Sequence, residues 1–67
     1  MAVGENIKKF RNEIGMTQLE LGNRVGLSDR TISAIELGTR EINGKALKLV
    51  ADALSVKIDD FFNEVKI

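Results

Sequence analysis

The stretch Thr17-Gln18-Leu19-Glu20-Leu21-Gly22-Asn23-Arg24-Val25-Gly26-Leu27-Ser28-Asp29-Arg30-Thr31-Ile32-Ser33-Ala34-Ile35-Glu36 decides the fold. It starts with Thr17 and, three residues on, Glu20. That spacing is a capping box, in which a hydroxyl and a carboxylate satisfy the free N–H groups of a helix start. Leu21 and Val25 then fall on one helical face, and Gly26 follows at once. A second start comes two residues later. Ser28 is a good N-cap, and Asp29 in the first turn suits the positive end of the helix dipole. Ile32 and Ile35 point inward, and Gly38 ends the segment.

Two short helices joined by a tight glycine-containing turn make a helix-turn-helix. Gly22 is small where the second helix must pass closely. Gly26 can take the positive φ the turn needs. Leu27 plugs the turn, and Ile32 and Ile35 seal the second helix to a core. Its outer side is left with Ser28, Asp29, Arg30, Ser33 and Ala34, a thin face that fits a major groove and reaches base edges from its N-terminal residues.

Working outward, a first helix runs from about Gly4 to Ile14, with Ile7, Phe10 and Ile14 as an apolar stripe and Gly15 placed to end it. A fourth helix begins near Asn43 and carries Leu47, Val50, Ala51 and Leu54 at helical spacing. A fifth, short helix spans about Ile58 to Asn63, with Asp59 and Asp60 in its first turn. Glu64-Val65-Lys66-Ile67 alternates polar and apolar residues and is compatible with helix, strand or tail. The expected fold is therefore all-α: one compact domain of five helices.

The chain has 67 residues, too few for a large core. It contains no Cys and no His, which removes disulfides and nearly all soft metal chemistry. An absence of Cys fits a cytosolic protein. No apolar run reaches the ~18 residues of a membrane span, and the N-terminus does not read as a signal peptide. A cytoplasmic protein is expected. Ten basic and ten acidic residues cancel. Within residues 1–45 there are seven basic against six acidic residues. A DNA face must then come from placement rather than bulk charge, and non-specific binding should be weak. Lys8, Lys9 and Lys48 read as a solvated face.

The residues Gly15-Met16-Thr17-Gln18, Gly26-Leu27-Ser28, Ile32-Ser33, Ile35-Glu36 and Gly38, with Leu47, Ala51, Ala53-Leu54-Ser55-Val56 and Phe61-Phe62 downstream, resemble the Cro/phage-repressor-like (Xre-type) helix-turn-helix regulators. The resemblance covers about Ile7 to Phe62. It implies a dimeric repressor on double-stranded DNA with a palindromic operator. It also implies that Gln18 touches a phosphate and braces the recognition helix. Asp29 and Arg30 would read bases, with Ala34 one turn on. Ser28, Thr31 and Ser33 would touch bases or backbone, and Arg40 and Lys45 phosphates. Arg11 and Glu36 would form an internal ion pair.

Three departures stand out. Gly22 replaces the usual Ala and should cost about 1 kcal/mol of helix stability. Ile42-Asn43 stand where a Pro is common. Asp29 takes a place often held by Gln; an acid can accept from cytosine N4 but repels phosphate. Surplus apolar residues (Val56, Phe62, Val65 and Ile67) suggest a dimer contact near the C-terminus, with Leu19 and Leu37 as further exposed candidates. The residues offer no enzyme constellation, cofactor loop or small-molecule pocket. An antitoxin, a restriction–modification controller or a protein-interaction module could use the same fold.

Overall fold

A computed structural model of the chain describes residues 2–63. Four α-helices and a closing 3-10 helix follow in order: α1 Ala2–Glu13, α2 Gln18–Val25, α3 Asp29–Leu37, α4 Gly44–Leu54 and the 3-10 helix Ile58–Phe62. No strand occurs among the described residues. The expected fifth α-helix is thus corrected to a 3-10 turn. Its start is held by the Asp60 carboxylate, which accepts from the Lys57 N–H at 3.1 Å. Such tight helices rarely run beyond three or four residues because their hydrogen bonds are poorly aligned. The Glu64-Val65-Lys66-Ile67 reading lies outside the described residues.

Side-chain caps set the helix starts. Thr17 accepts from the Glu20 N–H at 3.0 Å, and the Thr17 N–H donates to the Glu20 carboxylate at 3.2 Å. Ser28 caps α3 through the Thr31 N–H, and Asn43 caps α4 through the Ala46 N–H. The ends of α2 and α3 use Gly26 and Gly38 in the left-handed region, at φ 76° and 81°. Ser55 does the same for α4 at φ 58°, without glycine's freedom. Helix α1 stops at Glu13, so Ile14 turns outward and is 55% exposed, contrary to its place in the expected stripe.

Helix α1 packs on α3 and on the 3-10 helix, while α2 packs on α3 and α4. The core they share contains Ile7, Met16, Leu21, Val25, Ile32, Ile35, Leu47, Val50, Leu54 and Phe61. Phe10 rests on Phe61 with ring centroids 5.9 Å apart. Of the two adjacent phenylalanines, Phe61 is fully buried and Phe62 is exposed. Two polar devices tie the ends together. The buried Asn6 amide donates to the Phe61 carbonyl at 2.9 Å and to the Asn63 carbonyl at 2.6 Å. The second device is Arg11, which belongs to the site.

Candidate nucleic-acid interface

Helix α3 is fixed from below by Ile32 and Ile35, which are buried. Two glycines let the surrounding chain come close to it. A Cβ at Gly4 would overlap the Ile35 carbonyl oxygen, so α1 crosses the end of α3 only because that atom is missing. A Cβ at Gly22 would overlap the Leu27 carbonyl oxygen, so the turn lies directly on α2. The role of Gly22 was visible in the sequence. That of Gly4 was not, because it depends on where two helices cross.

A buried ion pair locks the assembly. Arg11 Nε donates to Glu36 Oε2 at 2.7 Å and Arg11 Nη2 donates to Glu36 Oε1 at 2.9 Å. This two-pronged geometry is the strong form of the pair. The two side chains are 9% and 2% exposed. Arg11 Nη1 also donates to the Met16 carbonyl at 2.8 Å. The Glu36 hydrogen bond raises the Arg11 pKa above its ordinary value, against the opposing effect of burial. Gln18 Nε2 donates to Glu36 Oε1 at 3.0 Å, so the first residue of α2 is braced against the last turn of α3.

The structure places the expected contact residues as follows. Ser28, Asp29 and Arg30 are exposed together at the start of α3. The Ser28 hydroxyl is engaged as the cap and shares a 2.9 Å hydrogen bond with the Thr31 hydroxyl. The Asp29 carboxylate accepts from the Arg30 N–H at 3.0 Å. Arg30 forms no ion pair among the described residues and is exposed in the first turn of α3. Thr31, Ser33 and Ala34 are half-buried along the same helix. Arg40 and Lys45 are exposed, one in the loop after α3 and one in the first turn of α4. Thr39 went unnoticed in the sequence; its hydroxyl donates to the Ala34 carbonyl at 3.2 Å and folds the loop back onto α3.

Of the apolar residues expected at a dimer contact, Val56 is half-buried against the core and Phe62 is 61% exposed. Val65 and Ile67 lie outside the described residues. Leu19 and Leu37 are 56% and 74% exposed. No helix among the described residues is long and apolar enough to cross a membrane.

Comparison with known proteins agrees with this arrangement. The sequence profile of a helix-turn-helix family matches residues 7–61. An HTH-type transcriptional regulator of Archaeoglobus fulgidus is 39% identical over 56 residues, which cover 84% of this chain and 79% of that protein. The antitoxin PezA of Streptococcus pneumoniae is 31% identical over 64 residues, 96% of this chain but 40% of PezA. A regulator from the ATPase CF(0) region of Rhodospirillum rubrum matches over 59% of its own length. The chain thus spans about half the length of several curated relatives.

Among solved structures, the P22 c2 repressor in complex with a synthetic operator superposes with a TM-score of 0.85 at 33% identity, covering 91% of this chain and 92% of that one. The wild-type restriction–modification controller protein C.Esp1396I gives 0.80 at 39% identity over 91% and 80%. The capped helix pair, the close glycine at its turn and the match from residue 7 to residue 61 lead to one conclusion: the chain belongs to the Cro/phage-repressor-like (Xre-type) helix-turn-helix family.

Proposed function

We propose that this chain is a sequence-specific, DNA-binding transcriptional regulator, a small dimeric repressor that inserts the start of α3 into the major groove of a palindromic operator. The observation that carries the reading is the exposed trio Ser28, Asp29 and Arg30 at the N-terminus of a helix whose other face is sealed by Ile32 and Ile35. A rigid helix with a free N-terminal edge is what base reading requires. Arg30 suits guanine, whose O6 and N7 take both prongs of a guanidinium. Asp29 can accept from cytosine N4. Gln18, with one amide proton on Glu36, has a second to give a phosphate. Thr31, Ser33 and Ala34 line the helix behind the reading edge, and Arg40 and Lys45 supply phosphate contacts at its flank.

A symmetric pair would set two such helices about 34 Å apart, one turn of duplex. Phe62, exposed at the C-terminal end of the described residues, is the apolar anchor we assign to that contact, with Val56 at its edge. The protein works in the cytoplasm, with no catalytic role, cofactor or small-molecule ligand. An antitoxin is the second reading, favoured by the 31% identity to PezA. It predicts a co-purifying protein partner.

The test is selection from a randomised duplex library at low salt, followed by anisotropy titrations of labelled winners at several salt concentrations. The regulator reading expects a palindrome with half-sites about ten base pairs apart and an affinity that falls with salt. Arg30→Ala should cost about 1–3 kcal/mol and relax preference at one base pair per half-site. No enriched motif and no binding at low salt would overturn it.

A further inference from the structure

Asn6 is a buried polar residue that neither the reading edge nor the Arg11 lock uses. It lies in the first half of α1 and is 3% exposed. Its amide has two protons to give. One goes to the Phe61 carbonyl at 2.9 Å and one to the Asn63 carbonyl at 2.6 Å. Those two residues flank Phe62, whose Cα is ~3.8 Å from each neighbouring Cα. We propose that Asn6 is a positioning residue for the pairing of two copies: it aims Phe62 and so sets how far apart two α3 helices stand, a role that rests on the reading of Phe62 as the anchor between copies.

The end of the 3-10 helix needs such a support. The last carbonyls of a helix have no partner within it, and 3-10 hydrogen bonds are poorly aligned. Phe61 is fully buried and ties the segment to the core. One buried ring, however, leaves open the direction in which the next side chain departs. Hydrogen bonds on both flanks remove that freedom, and Phe62 leaves the body at a fixed angle. A hydrophobic side chain at position 6 would fill the same space but could not orient two carbonyls.

The same helix carries the constraint to the reading edge. Gly4 lets α1 lie against the carbonyls of Ile35 and Glu36. Five residues beyond Asn6, about 7.5 Å along the axis, Arg11 holds Glu36 through two hydrogen bonds. Helix α1 is thus a beam, fixed to the anchor at one point and to α3 at two. Two copies joined through Phe62 then present their reading edges at one separation, suited to the ~34 Å of a duplex turn. With a loose anchor, one copy would still bind a half-site, but the second would not be held in register.

The experiment measures pairing and duplex binding separately on the 67-residue chain. Sedimentation equilibrium gives the dimer Kd of the unaltered chain, Asn6→Asp, Phe62→Ala and the double variant, at a temperature where circular dichroism shows each folded. Anisotropy gives affinity for a lone half-site and for the selected palindrome. Asn6→Asp keeps the shape and at neutral pH has no proton to donate. It should weaken pairing about tenfold or more, the scale of one or two lost hydrogen bonds. Once Phe62 is Ala, it should add less than about twofold, and half-site affinity should stay within about twofold. A merely structural Asn6 would lower Tm and leave the pairing of folded chains unchanged; that result overturns the proposal. So does an effect on pairing that persists undiminished in the Phe62→Ala background. Asn6→Leu refills the space without charge and carries the same expectation where the carboxylate prevents folding. In the unaltered chain, side-chain amide protons of Asn6 that exchange as fast as those of an exposed Asn overturn the proposal whatever the variants do. Pairing lost in Phe62→Ala but intact in Asn6→Asp sinks this role alone. Pairing that ignores Phe62→Ala sinks the anchor reading and this role with it. A chain that pairs as expected but binds no duplex sinks the regulator reading and leaves the role of Asn6 standing.

Discussion

Glu36→Ala tests the physical core of the site. The Glu36 carboxylate accepts two hydrogen bonds from Arg11 and one from Gln18, at 2.7, 2.9 and 3.0 Å. Removing it leaves a guanidinium that is 9% exposed with the Met16 carbonyl as its remaining partner. Breaking one half of a buried ion pair costs about 3–5 kcal/mol, because the other charge stays desolvated. A chain of 67 residues has a total stability of roughly 3–10 kcal/mol. The variant should therefore lose roughly 12–40 °C in Tm or be partly unfolded at room temperature. Arg11→Met combined with Glu36→Leu removes both charges and refills the volume. It should be near neutral, or more stable than the starting protein by up to about 4 kcal/mol.

The chain lacks Trp and Tyr, so urea titrations would be followed by far-ultraviolet circular dichroism. The slope against urea should stay constant across the set if the variants alter stability alone. Two results would refute the reasoning: a cost below about 1 kcal/mol for Glu36→Ala, which is the scale of a solvated surface pair, or a double variant as unstable as the single one.

Other outcomes follow from separate features. Gly22→Ala gains about 1 kcal/mol of helix propensity but places a Cβ against the Leu27 carbonyl oxygen. Overpacking costs about 1–3 kcal/mol, so the variant should lose roughly 0–2 kcal/mol; a variant more stable than the parent would show that the turn moves freely. Hydrogen bonds from Thr17, the backbone one foremost, hold the Glu20 carboxyl below its ordinary pKa. The stabilisation is therefore complete above that ordinary value and is lost as pH falls through the lowered one. Carboxyl chemical shifts followed against pH should show Glu20 titrating below the ordinary glutamate range. Lys45→Ala should weaken binding to all duplexes alike and lower the slope of log affinity against log salt by about 1, a result that anisotropy would read directly.

Much of this fold is written locally. Thr17 with Glu20, Ser28 and Asn43 declare helix starts within four residues of sequence. Gly26 and Gly38 declare the ends of α2 and α3 for the same local reason. What was not legible depends on contacts distant in sequence. Asn6 meets Asn63 across 57 positions, and nothing near Asn6 foretells it. Gly4 matters because the end of α3 crosses it, and Ser55 adopts a left-handed turn without the glycine that would announce one. The 3-10 form of Ile58–Phe62 was hidden because five residues are too few for a period to show. For the site, the outward set Ser28, Asp29 and Arg30 could be inferred from the inward set Ile32 and Ile35. The pairing of Arg11 with Glu36, 25 positions apart, came from family resemblance and has no local signal.

Arg11 also bears on how the recognition unit can be reused. Its side chain is rooted in α1, yet it serves the carbonyl that precedes α2 and the carboxylate that ends α3. Residues 17–36, the two-helix motif itself, are therefore not a portable part. Cut out or grafted alone, they would carry a glutamate without its counter-charge and two isoleucines without Ile7 beneath them. A graft that is to keep the reading edge at its proper angle must bring α1 along, with Gly4 at its crossing point. The minimal transplantable piece of this protein begins before the motif that names its family.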